Sequence, residues 1–191
     1  MTQRELFARE FSGSSFSFWR NAIFVDERRF GLKSDGEIYS TCPNRSRRGT
    51  VLACGAVSAD WPRSLHRIEH GHLNTEKYLE VMDSMVSPGR TIFSTNNPVH
   101  GSVVATQYIS SRQASSILWP PRSLDIMPMT LIWKHFVDEL NYATSIVSNP
   151  DQLWGEMEIV WLDFIANNSF VYPTTVGYVW LDLGKIVDEF Q

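Results

Sequence analysis

Apolar and polar positions change period along the chain, and the changes predict the order of its elements. Arg4 to Phe11 is a short amphipathic stretch, followed by a Ser-rich link from Ser12 to Ser17. Ala22-Ile23-Phe24-Val25 is a continuous apolar run bounded by charge, which predicts a buried strand ending as Asp26 and Glu27 begin. Asp35-Gly36 lies between Phe30-Gly31-Leu32 and Ile38-Tyr39, a hairpin signal because Gly supplies the positive φ of a tight turn. Thr50 to Val57 is a second apolar, β-branched run and Ser64 to Ile68 a third. The first third of the chain therefore reads as a strand meander.

Helical spacing then takes over. Between Leu73 and Val86 apolar residues recur at Tyr78, Met82 and Met85, with Asn74 placed to cap a helix. Thr91-Ile92-Phe93 predicts a short strand, Val103 to Ile109 a short helix, and Ser116 to Trp119 a strand stopped by Pro120-Pro121. Met129 to Ala143 reads as a helix. Asn149-Pro150-Asp151-Gln152 supplies a cap, a first-turn proline and a capping-box Gln. Leu153, Trp154, Met157, Val160, Trp161, Phe164 and Ile165 then share one helix face, where Trp154 and Trp161 read as core packing. A meander feeding alternating β and α elements predicts an α/β fold, a mixed sheet flanked by helices. The predicted divisions are a helical lead-in over 1–20, the main domain over 21–145, and C-terminal helices over 146–191 packing on that domain.

Charge narrows the function classes. The chain has 191 residues and a formal net charge of −4. Residues 1–68 carry eleven basic and seven acidic side chains, whereas 69–191 carry six and fourteen. A uniformly basic nucleic-acid coat is excluded, but a basic face near the N-terminus is not. Cys42 and Cys54 are too few for a disulfide scaffold and read as reduced, structural thiols of an intracellular protein. No apolar run reaches the ~18 residues that would span a bilayer, so no membrane partner is expected.

In such a sheet ligands collect at the carboxyl ends of strands. Three places qualify: Asp26, Thr95 and the turn from Asp125 to Thr130. His66, His70 and His72 have no Cys nearby and a Gly between two of them, and read as a solvated turn rather than a zinc site. Arg45, Arg47 and Arg48 form a basic run that reads either as a solvated loop or as a phosphate contact. An exposed loop is expected across Ser40 to Thr50.

The strings around the three strand ends are specific. Phe24-Val25-Asp26-Glu27-Arg28-Arg29-Phe30-Gly31-Leu32 resembles the first catalytic strand of Tc/mariner superfamily DNA transposases, F-x-D-E-S-R-F-x-L. Thr95-Asn96-Asn97-Pro98-Val99-His100 resembles their second site, D-N-A-P-x-H. The run from Trp119-Pro120-Pro121 through Ser123-Leu124-Asp125 to Met127-Pro128-Met129-Thr130 and Trp133 resembles their third, W-P-x-x-S-P-D-L-N-P-I-E-x-x-W. The likeness runs in one consistent order from about Arg4 to Phe164.

The resemblance implies a ribonuclease-H-like fold in which three carboxylates hold two Mg²⁺ ions for DNA cleavage and strand transfer. Carried over by position, the metal-binding and catalytic set is Asp26, Thr95 and Thr130, with 34 residues between the last two. A shift of one residue would put Asn96 at the second position, which also lacks a carboxylate. Two of the three ligands are thus replaced, so the expectation is a degenerate DDE domain with weak or no Mg²⁺ binding and no strand transfer. DNA is the implied partner, the nucleus the implied location, and there is room for a homodimer. Glu27 is not expected to substitute, since neighbours on a strand face opposite sides. Asp125 reads as a turn residue, and His100 as orienting the second loop. The family carries a helix-turn-helix region ahead of this domain, and only a few residues precede it here. Alternatives are a domesticated DNA-binding or protein-interaction module without catalysis, or a non-functional remnant.

Overall fold

The computed structural model describes residues 1–43, 48–59, 63–95, 97–143, 147–167 and 183. Helices α1 (Gln3–Phe11) and α2 (Phe16–Arg20) lead into strand β1 (Ala22–Leu32). Strands β2 (Ile38–Thr41), β3 (Val51–Ser58) and β4 (Ser64–Ile68) complete the meander, and α3 (Thr75–Asp83) follows. Strand β5 (Thr91–Ser94), α4 (Val103–Ser111), β6 (Ser115–Leu118), α5 (Pro128–Ala143) and α6 (Pro150–Asn167) alternate thereafter. The sheet runs β4-β3-β1-β5-β6, with β2 also paired to β1. The pairs β1–β2, β1–β3 and β3–β4 are antiparallel, while β1–β5 and β5–β6 are parallel.

The alternation of β1 builds a core on each face. Ala22, Phe24 and Phe30 join a core with α1, α2, α5 and α6, while Ile23 and Val25 join one with α3 and α4. In the first core Phe24 and Phe93 stack at 5.6 Å between centroids, and Phe7 packs on Trp119 at 4.8 Å. The lead-in helices are thus part of the packed domain. Ser15 accepts from the Phe18 amide to cap α2, so the stretch expected as a plain Ser-rich link contains a helix turned inward by Trp19. Asn74 caps α3 in the same way through the Lys77 amide.

A second difference concerns Asp26. The sequence places it where the first strand stops, yet β1 is 11 residues long and runs on past Asp26 to Leu32. The strand changes neighbour instead of ending. One edge pairs with β3 from Ile23 to Phe30; the other pairs with β5 over Ala22–Val25 and with β2 over Arg29–Leu32. Asp26, Glu27 and Arg28 lie in the gap between those two partners. Asp26 therefore stands at the carboxyl end of the parallel part of the sheet although it is mid-strand. Gly36, with φ +90°, makes the hairpin turn between β1 and β2. The basic run at 45 and 47, and Asn96, lie outside the described residues.

Candidate active site

Asp26 points to the α5 face and is 6% exposed. Directly across the ladder sits Gly55, and the Trp133 ring covers it so closely that a Cβ there would lie 2.7 Å from Trp133 Cζ2. The bare backbone at 55 leaves room for the α5 indole against the sheet, and its Nε1 donates to Asp26 Oδ2 at 2.9 Å. The Thr95 side chain lies near the same carboxylate and helps to lower its pKa. Arg28, two residues on and therefore on the same face, holds its Nε 3.8 Å from Oδ2. Burial and the neighbouring Glu27 charge push the Asp26 carboxyl up to about 6, against the lowering pull of Arg28, Trp133 and Thr95.

Glu27 faces the other side. Its Oε1 lies 2.8 Å from His100 Nε2, Asn97 Nδ2 donates to Oε2 at 3.4 Å, and the Cys54 thiol points at Oε1 from 3.8 Å. His100 Nδ1 meets the Thr95 carbonyl at 2.7 Å. Burial alone would lower the His100 pKa, but Glu27 and the Thr95 carbonyl raise it above the ordinary value. The pair thus ties the loop after β5 to the strand carrying Asp26. Sequence reasoning assigned His100 to that loop and Glu27 to the opposite face, but not their contact; the signal was the burial that an alternating strand imposes on an odd-numbered neighbour of Val25.

Thr130 lies in the first turn of α5, one turn before Trp133, and its buried hydroxyl has no hydrogen-bond partner among the described residues. The structure brings Asp26 and Thr95 into contact and puts Thr130 on the helix whose Trp133 meets Asp26. Asp125 instead forms a bidentate pair with Arg4 at 2.6 and 2.7 Å, fastening α1 to the turn before α5. Asp26, Thr95, Asn97, Trp119, Arg122 and Cys42 line a cleft of about 350 Å³. Arg28 and Trp133, which sequence reasoning did not connect to Asp26, both pull its pKa down against burial and Glu27.

No protein-family model matches the chain. The Tcb2 transposable-element transposase of Caenorhabditis briggsae is 24% identical over 165 residues, which is 75% of this chain and 59% of that protein. The Tc1 transposase of Caenorhabditis elegans is 23% identical over the same spans. Its relatives are Tc1/mariner transposases. The chain spans 59% of the length of these relatives. Among solved structures, the Mos1 transposase catalytic domain with raltegravir and Mn aligns with TM-score 0.69 and 12% identity over 97% of this chain and 92% of that one. The Mos1 strand transfer complex gives TM-score 0.68 and 13% identity, covering 97% of this chain and 58% of that one. The mixed sheet flanked by helices thus matches the ribonuclease-H-like fold of the Mos1 catalytic domain.

Likeness to Tc1/mariner transposases raises the question of two divalent ions, and the residues present do not fit them. Hard cations need several oxygen ligands, preferably charged. Of the two carboxylates that line the cleft, Glu27 is turned to His100 on the other face, and Asp26 already accepts an indole N–H and faces a guanidinium. Among the described residues no group of three or more His, Cys, Asp or Glu could hold a metal ion.

Proposed function

We propose that the chain is a mariner-type transposase domain that holds duplex DNA without cleaving it. The observation that carries this reading is that Asp26 accepts from Trp133 and faces Arg28. In-line displacement at phosphorus requires charge stabilisation on both the attacking and the leaving oxygen. A single carboxylate that already accepts from Trp133 and faces Arg28 supplies neither. Thr95 and Thr130 stand at the positions that the family motif gives to the other two carboxylates, and a neutral hydroxyl cannot replace an anionic ligand. The DNA half of the reading is supported by the likeness to Mos1 assemblies described as a transpososome and as a paired-end complex with the left transposon end. Such a domain works in the nucleus, and pairing of two copies would follow the paired-end arrangement.

The test has two arms. Incubation of the full chain with supercoiled plasmid and millimolar Mg²⁺ or Mn²⁺ should give no nicking above that of an Asp26→Ala variant. Gel-shift of a short duplex in EDTA should show binding. Metal-dependent nicking that disappears in Asp26→Ala would overturn the inactive assignment; absence of any DNA binding would overturn the rest.

A further inference from the structure

The parallel end of the sheet stops at β6, and its outer edge is open. Among the described residues β6 pairs with β5 alone. The Ser115 amide donates to the Arg90 carbonyl at 2.9 Å, and the Trp119 amide to the Ser94 carbonyl at 2.7 Å. Odd-numbered residues of the strand therefore direct their backbone groups to β5, and alternation turns those of Ser116 and Leu118 outward. Natural edge strands are commonly guarded by a charge or a proline. β6 contains neither, and Leu118 is exposed.

The side chains of the edge are apolar on both faces. Ile117 packs toward the core under α1 and lines, with Leu6 and Trp119, a groove of about 370 Å³. Leu118 lies against Gly101, just before α4 begins with the exposed Val103 and Val104. Between Arg90 and Arg122 the sequence has no Asp, Glu or Lys, and its one Arg, Arg112, is paired with Asp83 at 2.6 Å. Glu10 is the one acidic or basic residue lining the groove. A surface that pairs with its own copy across a two-fold axis sets each residue near the axis against itself, so a charge there would meet its like. β6 and α4 carry none, which suits self-pairing and gives a nucleic-acid backbone no cation to hold.

We propose that the β6 edge binds a second copy of this chain, antiparallel, about a two-fold axis through Ile117. With the axis there, Ser116 lies opposite Leu118 of the second copy, and each such pair exchanges both N–H···O bonds. This register uses every outward backbone group of the strand. Ile117 then faces its own copy as a non-hydrogen-bonded pair with Cα atoms about 4.5 Å apart, and the two apolar grooves meet around it. The two sheets become one. The pairing needs no DNA, so it stands or falls apart from the DNA-holding reading.

The experiment is sedimentation velocity of the full chain without DNA, over a concentration series reaching the millimolar range. Wild type should pass from monomer to dimer. Ser116→Pro removes an outward N–H that β5 does not use, and Leu118→Lys sets like charges near the axis; each should weaken dimerisation about tenfold or more. Ile117→Cys in a Cys42→Ser background reads the register. Oxidation should give a cross-linked dimer on non-reducing gels, since the expected Cα separation suits a disulfide. Ser116→Cys in the same background should cross-link far less, because its two copies lie diagonally apart. Thermal melts identify any variant that fails to fold, and Leu118→Lys, at an exposed position, keeps the test open if Ser116→Pro does so. A chain that is monomeric at every concentration would overturn the proposal, as would a dimer that both edge variants keep. Cross-linking through Ser116→Cys but not Ile117→Cys would overturn the register.

Discussion

The Trp133 indole donates to Asp26 Oδ2 at 2.9 Å across 107 residues of sequence. This bond joins the sheet to α5 at a buried carboxylate. It also fixes that carboxylate toward a neutral donor inside the core, and the consequences can be measured.

Asp26 should cost stability when ionised. Its folded pKa of about 6 lies above the ordinary 3.8, so the folded state binds the proton more tightly and this group's contribution falls as pH rises from about 4 to 6. Asp26→Asn, which keeps an acceptor for Trp133, should stabilise the protein by about 1–3 kcal/mol at pH 8 and by little near pH 4. Urea unfolding at the two pH values checks this; an equal effect at both would reject it.

The Glu27–His100 pair should behave in a complementary way. Because the His100 pKa is raised, the pair contributes most below the unfolded value of about 6.5 and its contribution is lost as pH rises through the folded value. Glu27→Gln should drop the His100 pKa below the ordinary range, since burial alone pulls it down. NMR titration of the His100 ring reads this directly, and an unchanged midpoint would contradict the contact.

Gly55→Ala tests the surface on which Trp133 lies. The added methyl meets the indole ring, and overpacking of this kind costs roughly 1–3 kcal/mol. Loss should appear in urea unfolding together with a shift in Trp fluorescence as the ring is displaced from Asp26. A silent substitution would mean that the ring has room to move.

Rebuilding the carboxylates tests the positions themselves. Thr95→Asp with Thr130→Glu restores the family charge, and adding Arg28→Ser removes the competing guanidinium. At about 100 times Kd, Mn²⁺ should stabilise the triple variant by ~2.7 kcal/mol. The double variant should gain less, and the wild type close to nothing. Equal thermal shifts in all three would sink the assignment of these threonines.

Much of the fold was legible. Runs of Val, Ala and Cys predict β3, and Asn74 and Asn149 mark helix starts, because their signals are local. The continuation of β1 was not. Asp26, Glu27, Arg28 and Arg29 read as the end of a strand, since burying four charges in a row is costly without partners. Those partners come from distant segments: Trp133 for Asp26, His100 for Glu27, and for Arg29 the carbonyls of Pro43 and Gly71 with the Thr50 hydroxyl. The site positions were readable as motif text, whereas the engagement of Asp26 required knowing that a glycine on β3 leaves room for an indole.

The change of neighbour along β1 separates folding from chemistry. On one side, the ladder skips the very residues whose side chains fill the cleft, so substitutions there leave the rest of the hydrogen-bonded sheet intact. A lineage can therefore exchange one reactivity for another at Arg28, Thr95 or Thr130 while purifying selection on stability continues to act elsewhere.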